Sequence, residues 1–331
     1  MRVLIFHPAM APYRVDLFNR LAARVDLRLV FLHKNVQYQK YDQDALLNRL
    51  TAKVSFLTSG FTLMGRDFRF GIGRHIRANS PDAIVTHEFS AVSIWLAIRS
   101  LVAPQSVVVW TADSVDVIKS EALLRKAARW LVLRCVDGLI VYTQETSDYY
   151  GFDGTIGVCP NMQSEVEIRQ KLDAATGQAA ANIDRYALRG RKVILFVGRL
   201  VAAKRVDKLL RAFAAVRKKY SKVTLVIVGE GPQDSEIKRL AQELDIHSLA
   251  IFTGHIEGAD LFSWYCIGSV LVLPSDWEPW GAVVNESLVA GMPTIVSSRV
   301  GASQLIDHRR NGSIFDIEAN DKLQDELEYW L

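Results

Sequence analysis

Short, wholly apolar runs recur along this chain, each closed by a glycine, proline or polar turn and followed by apolar residues at helical spacing. Val193-Ile194-Leu195-Phe196-Val197 stops at Gly198, and Val270-Leu271-Val272-Leu273 stops at Pro274-Ser275-Asp276. A strand that is apolar on both faces must be covered on both faces, so strands alternating with amphipathic helices predict a parallel sheet wrapped by helices. The first half repeats the pattern, with strands predicted at 3–6, 27–32, 54–57, 83–86, 107–111, 139–142 and 156–158 and a helix at 13–24. Residues 163–190 are polar, alanine-rich and free of such runs. The fold class is therefore α/β, with two Rossmann-like domains facing each other across a cleft at the carboxyl ends of their strands. The expected organisation is a first domain over 1–165, a linker or peripheral helix over 166–190, and a second domain over 191–331.

Composition narrows the function. The 331 residues suffice for two ordinary domains. Half are hydrophobic, yet no run is long enough to cross a membrane, and residues 1–10 lack the features of a secretion signal. Cys135, Cys159 and Cys266 have no metal spacing and read as small buried residues of a reducing cytoplasm. The net charge of +4 lies wholly within residues 1–165, which hold 19 Lys/Arg against 15 Asp/Glu. That excess is too weak for general nucleic-acid binding but suits an anionic membrane surface.

Chemistry concentrates after two strands of the second half. Gly198-Arg199-Leu200 and Lys204 bracket a helix start, where the helix dipole favours negative charge. Two cations there either stay solvated or neutralise a diphosphate without a metal. After the strand at 270–273, Glu278 and Glu286 flank a junction at which Gly281 opens a helix running to about Ala290. The backbone N–H groups of residues 280–282 are a ready phosphate site. A rise of about 1.5 Å per residue puts the two carboxylates roughly 10 Å apart, the span of an extended nucleotide-sugar.

Together these pieces resemble the donor-binding domain of GT-B glycosyltransferases of family four. The resemblance runs from Ile194 to Asp316, through Phe196-Val197-Gly198-Arg199-Leu200, Lys204, Val228-Gly229-Glu230-Gly231-Pro232, Phe252-Thr253-Gly254, Pro274-Ser275, the glutamate pair, Ala290-Gly291-Met292-Pro293 and Asn311-Gly312. It implies a retaining hexosyltransferase with a nucleoside-diphosphate sugar as donor and no cofactor or metal. In that scheme Arg199 and Lys204 stabilise the leaving diphosphate, and Glu278 holds hydroxyls of the transferred sugar. Glu286 holds the ribose, Gly198 and the N–H groups of Trp280, Gly281 and Ala282 meet the phosphates, and Gly254, His255 and Ile256 surround the base. No dedicated base is demanded, and Asp113 is the best candidate should one exist. Relatives usually continue beyond Leu331 with helices that cross back, so a truncation is expected after a helix beginning near Asn320.

The first half is expected to hold the acceptor. Pro12-Tyr13-Arg14 opens the first helix and looks like a subgroup that builds bacterial surface polysaccharides, where it either touches a ligand or caps the helix. His87-Glu88 and Asp113 stand at strand ends. Residues 120–134 and 61–77 mix apolar and basic side chains, among them Met64, Arg66, Arg69 and Arg129, and suggest peripheral contact with an anionic membrane on the cytoplasmic side. The alternative for both is a core-facing helix with a solvated basic side. Asp42-Gln43-Asp44 has the form of a metal motif but no preceding strand, and reads as solvated loop. The partners expected are thus a nucleotide-sugar and a glycan or lipid-linked acceptor. The alternatives are a non-catalytic nucleotide-sugar-binding subunit of a polysaccharide-assembly complex and a GT-B sugar-nucleotide epimerase.

Overall fold

The computed structural model describes residues 1–34, 42–63, 66–319 and 321–331. Of the sequence expectations, Met64, the Arg66 side chain and the helix start at Asn320 lie outside the described residues. The chain divides into two compact units, Met1–Asn161 and Met162–Leu331.

In the first unit the strands are β1 (Arg2–His7), β2 (Asp26–Phe31), β3 (Lys53–Phe56), β4 (Gly60–Leu63), β5 (Arg66–Arg69), β6 (Ala83–His87), β7 (Ser106–Trp110), β8 (Gly138–Val141) and β9 (Thr155–Val158). Seven form one sheet in the order β3-β2-β1-β6-β7-β8-β9, parallel throughout. β4 and β5 stand apart as an antiparallel hairpin, which the sequence pattern did not reveal. Its pairing rests on Phe61 stacking on Phe68 across the strands at 5.2 Å, a contact with no sequence period to count. Asp42 is exposed as expected, but Gln43 and Asp44 belong to a helix rather than to a loop. Asp42 caps that helix, Gln43–Asn48, by accepting from the Ala45 N–H at 3.0 Å.

The second unit holds β10 (Lys192–Val197), β11 (Val223–Val228), β12 (Ala250–Gly254), β13 (Val270–Leu273), β14 (Thr294–Ser297) and β15 (Gly312–Phe315). Their order is β12-β11-β10-β13-β14-β15, again parallel. All six residues of β11 are buried, as a strand covered on both faces requires. Glu165–Arg185, which starts one residue before the expected linker, forms a 21-residue helix that buries Ile168, Ala175 and Ala179. Ile168, Ala175 and the partly buried Leu172 join the core cluster of the second unit with Phe262, Trp264 and Tyr265. Burial against that core, rather than intrinsic propensity, makes the segment part of the unit. None of the three cysteines is fully buried as expected: Cys135 and Cys159 are half-buried and Cys266 is exposed.

Both sheets share one topology. In each, the first strand (β1 or β10) lies between a neighbour that follows it directly and one reached by a long crossover (β6 or β13). Adjacent connections then leave in opposite directions and open a crevice beyond the carboxyl ends of the strands, the usual place for ligands in such sheets. The expected α/β class with two Rossmann-like domains is the one observed.

Candidate functional site

At the switch point of the second unit, the loops after β10 and β13 are laced together. The Asp276 N–H donates to the Ala203 carbonyl at 2.8 Å. This brings Lys204, at the end of a single 3-10 turn, onto Glu278, and the ammonium and carboxylate form an ion pair with most of both side chains buried. Burial, and then the Arg199 guanidinium nearby, lower the Lys204 ammonium to about 8, and the touching Glu278 carboxylate works against them. Arg199 is exposed and has no side-chain hydrogen bond or ion pair among the described residues. The neighbouring Arg205 is engaged by Asp207 and Asp276.

Glycines let these loops close. Gly229 has φ 133°, and a Cβ there would clash with the Gly198 carbonyl oxygen. Gly281 precedes the helix Ala282–Val289 with φ 93°, and a Cβ there would press on Leu273, Val300 and the stem of Glu278. The loop is pinned from behind: Gly301 N–H donates to the Glu278 carbonyl at 3.0 Å and Ala302 N–H to the Trp280 carbonyl at 2.7 Å. The Trp280 side chain is buried, so only its backbone is available to a ligand.

Glu286 differs from Glu278. It sits in the second turn of that helix, buried, with both carboxylate oxygens occupied. The Tyr265 hydroxyl donates to Oε2 at 2.6 Å, and the Gln163 amide donates to Oε1. Lys171 Nζ in turn donates to the Gln163 side-chain amide oxygen Oε1 at 2.6 Å. Burial pushes this carboxyl up, while Tyr265, Lys171 and Gln163 pull the other way. Sequence reasoning missed Tyr265, Gln163 and Lys171; the first lies in an apolar helix and the others far along the chain, with no signal linking them. Gly254, His255 and Ile256 lie at the end of β12, two strands from β10. Gly254 has φ 70°, His255 is exposed beside Glu257 at 3.0 Å, and Ile256 packs on the core.

In the first unit, Pro12–Arg14 is one 3-10 turn after β1. Arg14 turns inward: it is buried, donates to the Tyr142 hydroxyl and stacks over the Trp110 ring at 4.3 Å. His7 and His87 meet edge to face at 4.5 Å beside it. Burial, then the Arg14 charge, take His87 down to about 3, so its ring is neutral at physiological pH. Glu88, in the left-handed region at φ 58°, lies 2.9 Å from Thr111 Oγ1 and accepts from the Ala112 N–H at 3.1 Å. Asp113 is the anchored member of the pair, held by Arg129 at 2.6 Å. Arg129 also grips Glu121 through Nη2 at 2.6 Å and Nε at 3.1 Å, and lies over Phe89. Asp113, the expected candidate should a base exist, is thus engaged by the Arg129 guanidinium. Burial, then Asp113, raise Glu88 to about 7.

The two basic-apolar segments are also partly corrected. Arg129 and Arg69 are withdrawn from the surface, Arg69 against His33 and Asp67. The helix Leu123–Leu133 still exposes Leu123, Leu124, Trp130 and Leu131 with Arg125, Lys126 and Arg134 flanking them. Residues 61–70 expose Phe61, Leu63 and Phe70.

The fold and this site define a two-unit Rossmann-type protein with a cation–carboxylate pair at a switch point. Residues 181–331 match the family described as Glycosyl transferases group 1. An uncharacterized glycosyltransferase of Methanocaldococcus jannaschii is 36% identical over 121 residues, 37% of this chain and 31% of that one. The GDP-mannose-dependent alpha-(1-6)-phosphatidylinositol monomannoside mannosyltransferase of Mycobacterium tuberculosis is 29% identical over 148 residues, 43% and 38% of the two chains. The alpha-monoglucosyldiacylglycerol synthase of Streptococcus pneumoniae is 32% identical over 126 residues, 38% and 29%. The matched stretch thus spans about a third of the length of these curated relatives. Among solved structures, Anabaena HepE in complex with UDP superposes with a TM-score of 0.78 at 17% identity, covering 99% of this chain and 89% of that one. WaaG, a glycosyltransferase involved in lipopolysaccharide biosynthesis, gives 0.70 at 14% identity, covering 99% and 90%. These two likenesses concern the fold.

Proposed function

We propose that this chain is a glycosyltransferase that moves a hexose-type sugar from a nucleoside-diphosphate sugar to a hydroxyl of a glycan or lipid-linked acceptor. Transfer proceeds with retention at the anomeric carbon and without a metal, in bacterial surface polysaccharide synthesis. The observation that carries this reading is the Lys204–Glu278 pair at the β10–β13 switch point, inside the segment that matches Glycosyl transferases group 1. Lys204, aided by Arg199, takes charge growing on the departing diphosphate, the kind of term that dominates when donors are fixed in place beforehand. Glu278 holds sugar hydroxyls and Glu286, already oriented by Tyr265, holds the ribose. Backbone N–H groups at 280–282 approach the phosphates.

UDP bound in HepE and the GDP-mannose of the mycobacterial relative support a UDP- or GDP-sugar donor. Two relatives are named for lipid substrates or products, which favours an acceptor at a membrane surface. The exposed Leu123, Leu124, Trp130 and Leu131, flanked by basic side chains, would meet anionic headgroups on the cytoplasmic leaflet. No helix among the described residues is long and apolar enough to cross a membrane.

A thermal-shift series with UDP, GDP and dTDP tests the reading first, since a ligand at 100 times its Kd adds about 2.7 kcal/mol to the native state. At least one should raise the melting temperature, and its sugar conjugate should be hydrolysed slowly without acceptor. No shift with any of the three would sink the proposal.

A further inference from the structure

Two loops of the second unit meet through one ion pair. Lys204 Nζ faces Glu278 Oε2, the side chains are 15% and 16% exposed, and neither has another side-chain partner among the described residues. Both stems are seated: a Cβ at Gly198 would touch Lys204 Cε, and one at Gly281 would press on Glu278 Cγ. The Glu278 backbone is fixed as well, bridged to Val300 and accepting from the Gly301 N–H at 3.0 Å. The neighbouring cations stand differently. Arg205 and Arg299 share Asp276, with Asp207 and Glu318 as their second partners. Arg199 is exposed and open to any anion that arrives. Lys204, by contrast, must first leave a carboxylate.

That exchange has a different cost for two ligands that share the same phosphates. A free nucleoside diphosphate takes Lys204 and gives Glu278 nothing, which leaves a largely buried carboxylate unpaired and facing phosphate. A nucleoside-diphosphate sugar takes Lys204 and at the same time brings hydroxyls, which donate to Glu278 in place of the ammonium. Specificity is the difference between two such binding free energies, so the pair acts against one ligand more than it acts for the other.

We propose that Glu278 is a specificity-determining residue: it holds Lys204 against the free nucleoside diphosphate and yields it to the sugar-bearing form. After transfer the sugar hydroxyls are gone, and Glu278 retakes Lys204 from the departing product. The assignment rests on the glycosyltransferase reading, because only there does one nucleotide arrive with a sugar and leave without it.

The test is isothermal titration calorimetry on the full chain with UDP, GDP and dTDP and their glucose, galactose and mannose conjugates. EDTA is present, so that no divalent cation screens the diphosphate. Glu278→Gln, close in shape and uncharged, should bind the free diphosphate about tenfold more tightly than the unsubstituted chain, as release of one charged hydrogen-bond partner does. The conjugate should gain less than about twofold. In a Lys204→Ala background the same substitution should change diphosphate affinity by less than about threefold, since the two residues then no longer couple. A free diphosphate that binds Glu278→Gln no more tightly would overturn the proposal. So would an equal gain for the conjugate, which would mean that Glu278 only repels phosphate, or a tenfold gain that survives in Lys204→Ala. If Glu278→Gln does not fold, Glu278→Asp decides: its shorter stem withdraws the carboxylate from Lys204 and should tighten the free diphosphate about threefold. No binding of any diphosphate to either chain would remove the glycosyltransferase reading itself, and this role with it.

Discussion

At the end of β1 in the first unit the chain buries a cation, Arg14, against Trp110 and Tyr142; at the end of β10 in the second it sets Lys204 on a carboxylate and leaves Arg199 in the open. The strand order around these two places is the same, and so is the crevice it creates. What differs is how far each charge is already satisfied. In the first unit, Arg129, Asp113 and Glu121 satisfy one another, and their neighbours are held neutral. In the second, two cations, Lys204 and Arg199, stand near one carboxylate, Glu278. Equal topology therefore supports different electrostatics: Arg14 in the first unit is buried with no carboxylate partner among the described residues, beside the Arg129–Asp113–Glu121 network, while in the second Lys204 meets one carboxylate and Arg199 is exposed.

The sharpest way to break this contrast is to remove the knot in the first unit. Arg129→Ala leaves Asp113 and Glu121 without their counter-charge and should cost about 3–5 kcal/mol of stability, read from urea denaturation. A loss below about 1 kcal/mol would mean that the network behaves like an exposed ion pair. In the second unit, Lys204→Ala should lower turnover about 10²–10³-fold while donor affinity changes far less. Steady-state kinetics beside a thermal melt separates that from unfolding, and unchanged turnover would take the leaving-group role from Lys204.

The pH profile sharpens the same point. Burial and then Arg199 lower the Lys204 ammonium to about 8 while the Glu278 carboxylate opposes them, so its charge is lost as pH rises to or beyond that value. Turnover at saturating donor should therefore fall as pH rises through this region, and Lys204→Arg should carry the falling limb to higher pH. A flat profile from pH 7 to 10 would contradict the need for the charge. The smallest expected effect belongs to Tyr265→Phe, which deletes the 2.6 Å donor to Glu286. Donor KM should rise about three- to tenfold, about 1 kcal/mol, with kcat held. An equal fall in kcat would mark Tyr265 as more than a positioning residue.

Much of this was legible before any coordinates. β13 was predicted to the residue, because four apolar residues between turn signals leave little choice. The helix after Gly281 begins within one residue of expectation, since only glycine tolerates the φ of 93° that starts it. The hairpin of β4 and β5 and the inward turn of Arg129 were not legible. Nor were the partners of Glu286, which come from 21 and 123 residues away. No local period encodes such contacts.

The sequence by itself determined the alternation of strand and helix, the glycines at the tight loops and the charged residues at strand ends. Each of these follows from backbone geometry and burial within a few turns of chain. Only the tertiary structure decided which charges are neutralised. That choice depends on which strands become neighbours: β10 lies beside β13, which follows it by some seventy residues, and this brings Glu278 to Lys204. In the same way β6 lies beside β7, which gathers Glu88, Thr111 and Asp113 around one hydroxyl proton.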